Sequence, residues 1–260
     1  MNMLKELQSS SKDTWIITKR NLYRYIRLPQ LLFFSSIQPI IFLTLFNFVF
    51  GGAIGAEVPG GKYINYLLPG IIVQTTLFGA LNTGIGLAED MGKGIIDRFR
   101  SLPMSRIAVM AGRTFSDMIR NLVVMTIMIS VGYLYGFRFQ NGLASALGMV
   151  GIILFFTFSF SWIAAFIGMS VKDAETTQLA SFVIIFPLTF ASAAFVPINS
   201  MAGWLQVFAR NQPITFAVDA ARQLALGLPY NGAIWKLMLW TVGILIVFIP
   251  LSIQRYKARV

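Results

Sequence analysis

Long apolar runs alternate with short charged or Gly/Pro-rich breaks along this chain, and the breaks define its elements. Six largely apolar stretches, 31–50, 66–88, 107–137, 143–171, 179–196 and 233–253, reach or approach the ~20 residues that carry a helix across a bilayer. Pro39 lies near the middle of the first and predicts a kink. In the second, Ala80, Gly84 and Ala88 recur every four residues, a small-residue stripe that lets helix backbones approach. The third opens with Arg113, Asp117 and Arg120 on one helical face and becomes wholly apolar only at Leu122. Its foot is therefore expected to project out of the membrane. The fourth is aromatic, with Phe155, Phe156, Phe158, Phe160 and Trp162.

The stretches between these runs are equally patterned. Over residues 11–28, Trp15, Leu22 and Ile26 share one helical face while Arg20, Arg24 and Arg27 gather on the opposite one. That predicts an interfacial helix, with Trp15, Tyr23 and Tyr25 at headgroup level and Pro29 ending it. Residues 51–65 read as an external loop. Residues 197–231 are too polar to span, yet they hold Trp204, Leu205, Phe208, Ile214 and Phe216, broken by Asn211-Gln212-Pro213. Two short amphipathic pieces, re-entrant or interfacial, fit better than a loop exposing so many large apolar residues.

Composition supports a membrane protein. The chain is 56% hydrophobic and 12% charged, against about 25% charged in soluble proteins. Its net charge of +11 comes from basic residues that flank apolar runs, which fits topology better than nucleic-acid binding. With both termini inside, sixteen Lys and Arg fall on the cytoplasmic side and five (Lys62, Arg138, Arg210, Arg222 and Lys236) outside. No signal-peptide pattern precedes the first run. The expectation is an all-α polytopic membrane protein in a prokaryotic plasma membrane, contacting lipid and no nucleic acid.

The densest charge lies at 88–120, where Glu89, Asp90, Lys93, Asp97, Arg98, Arg100, Arg106, Arg113, Asp117 and Arg120 fall between apolar runs. Such a segment leaves the hydrocarbon and offers a cytoplasmic handle. The chain has neither Cys nor His, so disulfides, thiolate chemistry and Ser–His catalysis are excluded. Gly92-Lys93-Gly94 is not a P-loop, so this chain does not bind ATP in that way. The first, second, fourth and fifth spans carry no acid, which disfavours an ion-coupled carrier. Gln38, Gln74, Thr75 and Thr76 are polar positions in apolar walls: candidates for a solute path, or ordinary interhelical hydrogen-bonding groups.

Two groups of residues resemble the membrane subunits of ABC-2-type exporters, particularly the daunorubicin-resistance-like permeases. The first comprises Glu89-Asp90, Gly94, Asp97-Arg98, Ser101-Leu102-Pro103, Arg106, Gly112-Arg113, Asp117 and Arg120. The second comprises Phe195-Val196-Pro197, Trp204-Leu205, Asn211-Gln212-Pro213 and Asp219-Ala220-Ala221-Arg222, with Leu68-Pro69-Gly70 also fitting. Gln212 departs from the family's direct Asn-Pro. The resemblance covers almost the whole chain, as a single transmembrane domain over 1–260. It implies six spans, a surface helix before the first, a coupling helix within 89–106 and re-entrant helices before the last. It further implies a dimer of permeases and a separate ATP-binding subunit that holds ATP and Mg, with no cofactor or catalytic residue in this chain. By this analogy Glu89, Asp90, Asp97, Arg98, Arg100 and Pro103 couple to that subunit. The implied activity is export of an amphipathic drug or lipid-like solute by alternating access. A polysaccharide or teichoic-acid-like cargo is the alternative within the class, and an ion channel, a secondary carrier or a non-transporting anchor the alternatives outside it.

Overall fold

The computed structural model describes residues 2–55, 58, 62–96 and 106–258. These residues form helices and no strand: α1 (Asn2–Arg27), α2 (Pro29–Ile54), α3 (Tyr63–Gly92), α4 (Arg106–Leu134), α5 (Gly142–Ser170), α6 (Ala174–Phe190), α7 (Gly203–Asn211), α8 (Pro213–Leu226) and α9 (Ala233–Ala258), with a 3₁₀ turn at Ile198–Ser200. Five of them, α2, α3, α4, α5 and α9, are long and apolar enough to cross a membrane.

Helix α3 is the hub, packing against α2, α4, α5, α6 and α8. In its most apolar stretch 78% of the residues are buried, against 17% for α2 and for α9. Small residues make this possible. A Cβ at Gly84 would collide with the backbone of Ala164 on α5, and one at Gly168 with Gly84 itself. The small-residue stripe is thus the α3–α5 crossing, where close approach replaces the hydrophobic drive that lipid cannot supply. The weakly buried helices present Phe33, Phe34 and Phe48 on α2 and Trp235, Trp240 and Ile246 on α9 outward, apolar surface suited to lipid tails.

Helix ends follow local chemistry. Pro29 sits in the first turn of α2, where its missing N–H costs nothing; it disfavours helical geometry at Leu28, so α1 stops at Arg27 and the chain turns at Leu28. Gly227, at φ 64°, caps α8 by donating its N–H to the Gln223 carbonyl. Asp173 caps α6: its carboxylate accepts the Thr176 N–H at 2.7 Å and the Thr176 hydroxyl at 2.9 Å. The backbone bond, followed by the hydroxyl bond, holds this carboxyl below its ordinary range.

Several helix ends differ from the ends of the expected runs, and two of these bear on the site. The helix of the second run does not stop at Ala88: α3 continues to Gly92 and carries Glu89 and Asp90 on its last turn. The fifth run, expected at 179–196, is a helix from Ala174 to Phe190. At 17 residues it reaches only about 25 Å, short of a typical hydrocarbon core. Residues 191–196 are apolar but turn away from the helix because side chains elsewhere satisfy their carbonyls.

The 197–231 region divides in two. Helix α7 exposes Trp204, Val207 and Phe208 on one face, as an interfacial piece does. Helix α8 is almost wholly buried, against α3, α5 and α9.

Candidate functional site

Helix α1 lies along α4. A Cβ at Gly112 would strike Ile17 and the Thr14 carbonyl, and the Thr18 hydroxyl donates to the Gly112 carbonyl at 3.2 Å. The α1 face carrying Trp15 and Ile26 points away from the protein. Its arginines reach the end of α3 instead: Arg20 Nη2 lies 3.2 Å from Asp90 Oδ2, and Arg24 Nη2 3.6 Å from Glu89 Oε2. Lys93 adds a second partner for Glu89 at 3.6 Å. The two acids at the start of the expected coupling segment are therefore clasped by α1. Arg27 is exposed. Asp97, Arg98, Arg100 and Pro103 lie outside the described residues.

Beneath the clasp sits a buried network on the foot of α4. Asp117 is fully buried; it accepts the Tyr25 hydroxyl and the Thr83 hydroxyl, each at 2.7 Å, and pairs with Arg113 at 3.6 Å. Burial, with the Asp117 carboxylate next in weight, pushes the Tyr25 hydroxyl up to about 12, so it remains a proton donor. Arg113 also donates to the Asn82 carbonyl at 3.3 Å, and Arg120 to the Gly79 carbonyl at 2.6 Å and the Asn121 side chain at 3.1 Å. Gly79 and Gly86 leave the space these guanidinium groups fill. This foot does not project freely into solvent; α1 and α3 enclose it, each charge being met by an opposite charge or a hydrogen bond.

A groove of about 390 Å³ opens between α2, α3, α4 and α6. Three of the four path candidates, Gln38, Gln74 and Thr75, line it, together with Arg120 and Asn121 from the buried network. Thr76 does not: it is buried and donates to the Val73 carbonyl at 3.0 Å. Phe182, Phe186 and Phe190 form a continuous aromatic wall along α6, with successive centroids 4.9 and 4.3 Å apart. Asn82, Asn121, Gln178 and this wall were not among the expected path residues; a polar residue inside an apolar run was the available signal for the first three.

The other resemblance group converges where α6 ends. Arg222, 4% exposed, donates through Nε to the Tyr66 carbonyl at 3.0 Å and through Nη2 to the carbonyls of Ala193 and Ala194 at 2.8 and 3.3 Å. Its third nitrogen pairs with Asp219 at 3.5 Å, and its plane stacks 3.4 Å from the Tyr66 ring centre. Gln212 donates to the carbonyls of Leu188 and Ala191 at 2.8 and 2.9 Å. Arg222 is thus a structural anchor for the turn, not a topology-setting surface charge. Pro213 begins α8, Asn211 bonds back to the Val207 carbonyl, and Trp204 is exposed.

Apolar helices with outward-facing aromatic residues around an enclosed polar network define an integral membrane helix bundle. Residues 12–226 match the family described as ABC-2 type transporter. The chain is 32% identical over 223 residues to the daunorubicin resistance ABC transporter permease protein DrrB1 of Streptomyces coeruleorubidus, covering 86% of this chain and 78% of that one. It is 28% identical over 249 residues to the probable doxorubicin resistance ABC transporter permease protein DrrC of Mycobacterium tuberculosis, covering 95% and 89%. A putative transport permease, ycf38 of Cyanophora paradoxa, shares 25% over 226 residues, covering 82% and 74%. The chain belongs to the ABC-2 type transporter family and is a permease of that type.

Proposed function

We propose that this chain is the membrane subunit of an ATP-driven exporter in a prokaryotic plasma membrane, moving an amphipathic drug or lipid-like solute out of the cytoplasm. The observation that carries the reading is the clasp. Glu89 and Asp90 end the hub helix, border the 89–106 segment and are held by α1. A force applied to that segment by an ATP-binding partner passes into α3 directly and into α4 through Arg113, Asp117 and Arg120.

The groove opens on the same helices, so the movement reaches its walls. ATP binding in the partner shifts the permease between inward- and outward-open states, the bias coming from the partner's different contacts with the two states. Two copies of this chain, or this chain and a paralogue, face each other around the solute, with both termini in the cytoplasm. ATP and Mg belong to the partner. The names of the relatives, which tie them to daunorubicin and doxorubicin resistance, favour a drug-like cargo.

The test is purification in mild detergent followed by ATPase measurement. A stoichiometric Walker-A protein should accompany the chain. Replacing both Glu89 and Asp90 by Ala should leave insertion intact and abolish the coupling of ATP hydrolysis to transport. Unchanged solute-stimulated hydrolysis in that variant would defeat the coupling assignment, and a reproducibly solitary chain would defeat the exporter reading as a whole.

A further inference from the structure

The groove is chemically one-sided. Ser35, Gln38, Gln74, Asn82, Asn121 and Gln178 give it neutral polar groups, the phenylalanines of α2, α3 and α6 give it an apolar wall, and no carboxylate among the described residues lines it. Among the described residues its one ionised lining group is Arg120. That guanidinium is 6% exposed, and its Nε–H has no hydrogen-bond acceptor among the described residues. Its bonds go to a backbone carbonyl and an amide, both neutral.

Asp117, one turn away, does not neutralise it. Both Asp117 oxygens are already engaged, by Tyr25 on one side and by Thr83 and Arg113 on the other. Counting Arg113 and Asp117 as a pair leaves Arg120, with the Tyr25 ring centre 5.9 Å from its guanidinium carbon, without a counter-ion among the described residues on the wall of an aromatic groove. A buried charge without a counter-ion is costly, and an incoming anion lowers that cost. A cation there meets repulsion from Arg120 with no carboxylate among the described lining residues to offset it, and the faces of the phenylalanine rings offset it only in part.

We propose that the groove binds a membrane-partitioned amphiphile bearing one anionic head group, with the head at Arg120 and the apolar body along Phe182, Phe186 and Phe190. The inference builds on the permease reading and specifies the charge of what the groove accepts. A site of this volume, apolar with a few convergent polar groups, suits a single small amphiphile.

The experiment uses the full chain in nanodiscs of phosphatidylcholine, without ATP or partner, and measures binding of radiolabelled dodecyl phosphate and dodecyltrimethylammonium after subtracting uptake by empty discs. The native chain should bind dodecyl phosphate at least about ten-fold more tightly, the scale of one charge-assisted contact. Arg120→Lys should keep the preference and Arg120→Gln should erase it. Gln178→Glu places an acid in the groove without touching Arg120, so it decides the matter if Arg120→Gln fails to fold; it should cancel or reverse the preference.

Equal or tighter binding of the cation by the native chain overturns the proposal, as does a preference unchanged in Gln178→Glu. The chain has no cysteine, so Phe186→Cys reports on self-association. Quantitative cross-linking of the ligand-free chain that saturating dodecyl phosphate does not reduce would assign the groove to a second copy and overturn it too. None of these results bears on whether an ATP-binding subunit co-purifies, so a failure here is distinct from failure of the exporter reading.

Discussion

Two arginine centres hold this bundle together, and they are built differently. Around Arg222 every guanidinium nitrogen is engaged: three carbonyls, Asp219 and the Tyr66 ring surround it. Around Arg113 and Arg120 the Nε atoms have no hydrogen bond to the described residues, although both side chains are buried. The first centre joins a side chain to backbone carbonyls of a turn that no helix could satisfy, so it has one arrangement. The second joins side chains on α1, α3 and α4, and its unfilled donors allow others. A saturated centre suits an anchor; an unsaturated one suits a place where helices shift or a ligand binds.

The largest effect is expected from breaking the saturated centre. Arg222→Ala strands the Ala194 carbonyl and leaves Asp219 unpaired, while the Ala193 carbonyl keeps only the Tyr66 hydroxyl at 3.1 Å; the cost is roughly 3–5 kcal/mol. The thermal midpoint in detergent should fall sharply, and Arg222→Lys should recover only part of it because a point charge cannot serve the same fork.

Glycine substitutions sharpen the comparison at intermediate size. A Cβ at Gly70 would meet the Ala194 backbone, whereas one at Gly86 would meet the Arg113 guanidinium. Backbone cannot yield and a side-chain tip can. Gly70→Ala should therefore cost about 2–3 kcal/mol and Gly86→Ala about 1 kcal/mol, read as the difference between two unfolding midpoints. The reverse order would show that the α4 foot is the more rigid centre.

The smallest effect belongs to the rim of the clasp. Arg24 and Glu89 pair at 3.6 Å while both remain partly exposed, so Arg24→Gln should change stability by less than about 1 kcal/mol, and added salt should shrink that difference further.

Much of the bundle was legible in advance because each apolar run had to satisfy its own backbone. Hydrocarbon offers no partners, so helices near 31–50, 143–171 and 233–253 followed from hydropathy alone. The small-residue stripe at Ala80, Gly84 and Ala88 likewise announced a close crossing, since Gly84 has no other use on an apolar face. The candidate site was less legible. Arg113, Asp117 and Arg120 read as one charged face, but their spacing could not reveal Tyr25 and Thr83 as partners of Asp117. Residues 191–196 are apolar enough to continue a helix, and the carbonyl-binding side chains that let them turn lie elsewhere, Gln212 and Arg222 about twenty to thirty residues further on and Tyr63 and Tyr66 back on α3.

The sequence by itself determined that this protein lives in a membrane, which stretches are apolar enough to be helices there, and where its charge concentrates. Those properties depend on composition and period within single segments. Only the tertiary structure decided that α1 clasps the end of α3, that α6 stops at Phe190, and that Gln38, Gln74 and Arg120 share one groove. The reason is physical: whether a buried polar group is satisfied, and by what, depends on atoms brought from distant parts of the chain.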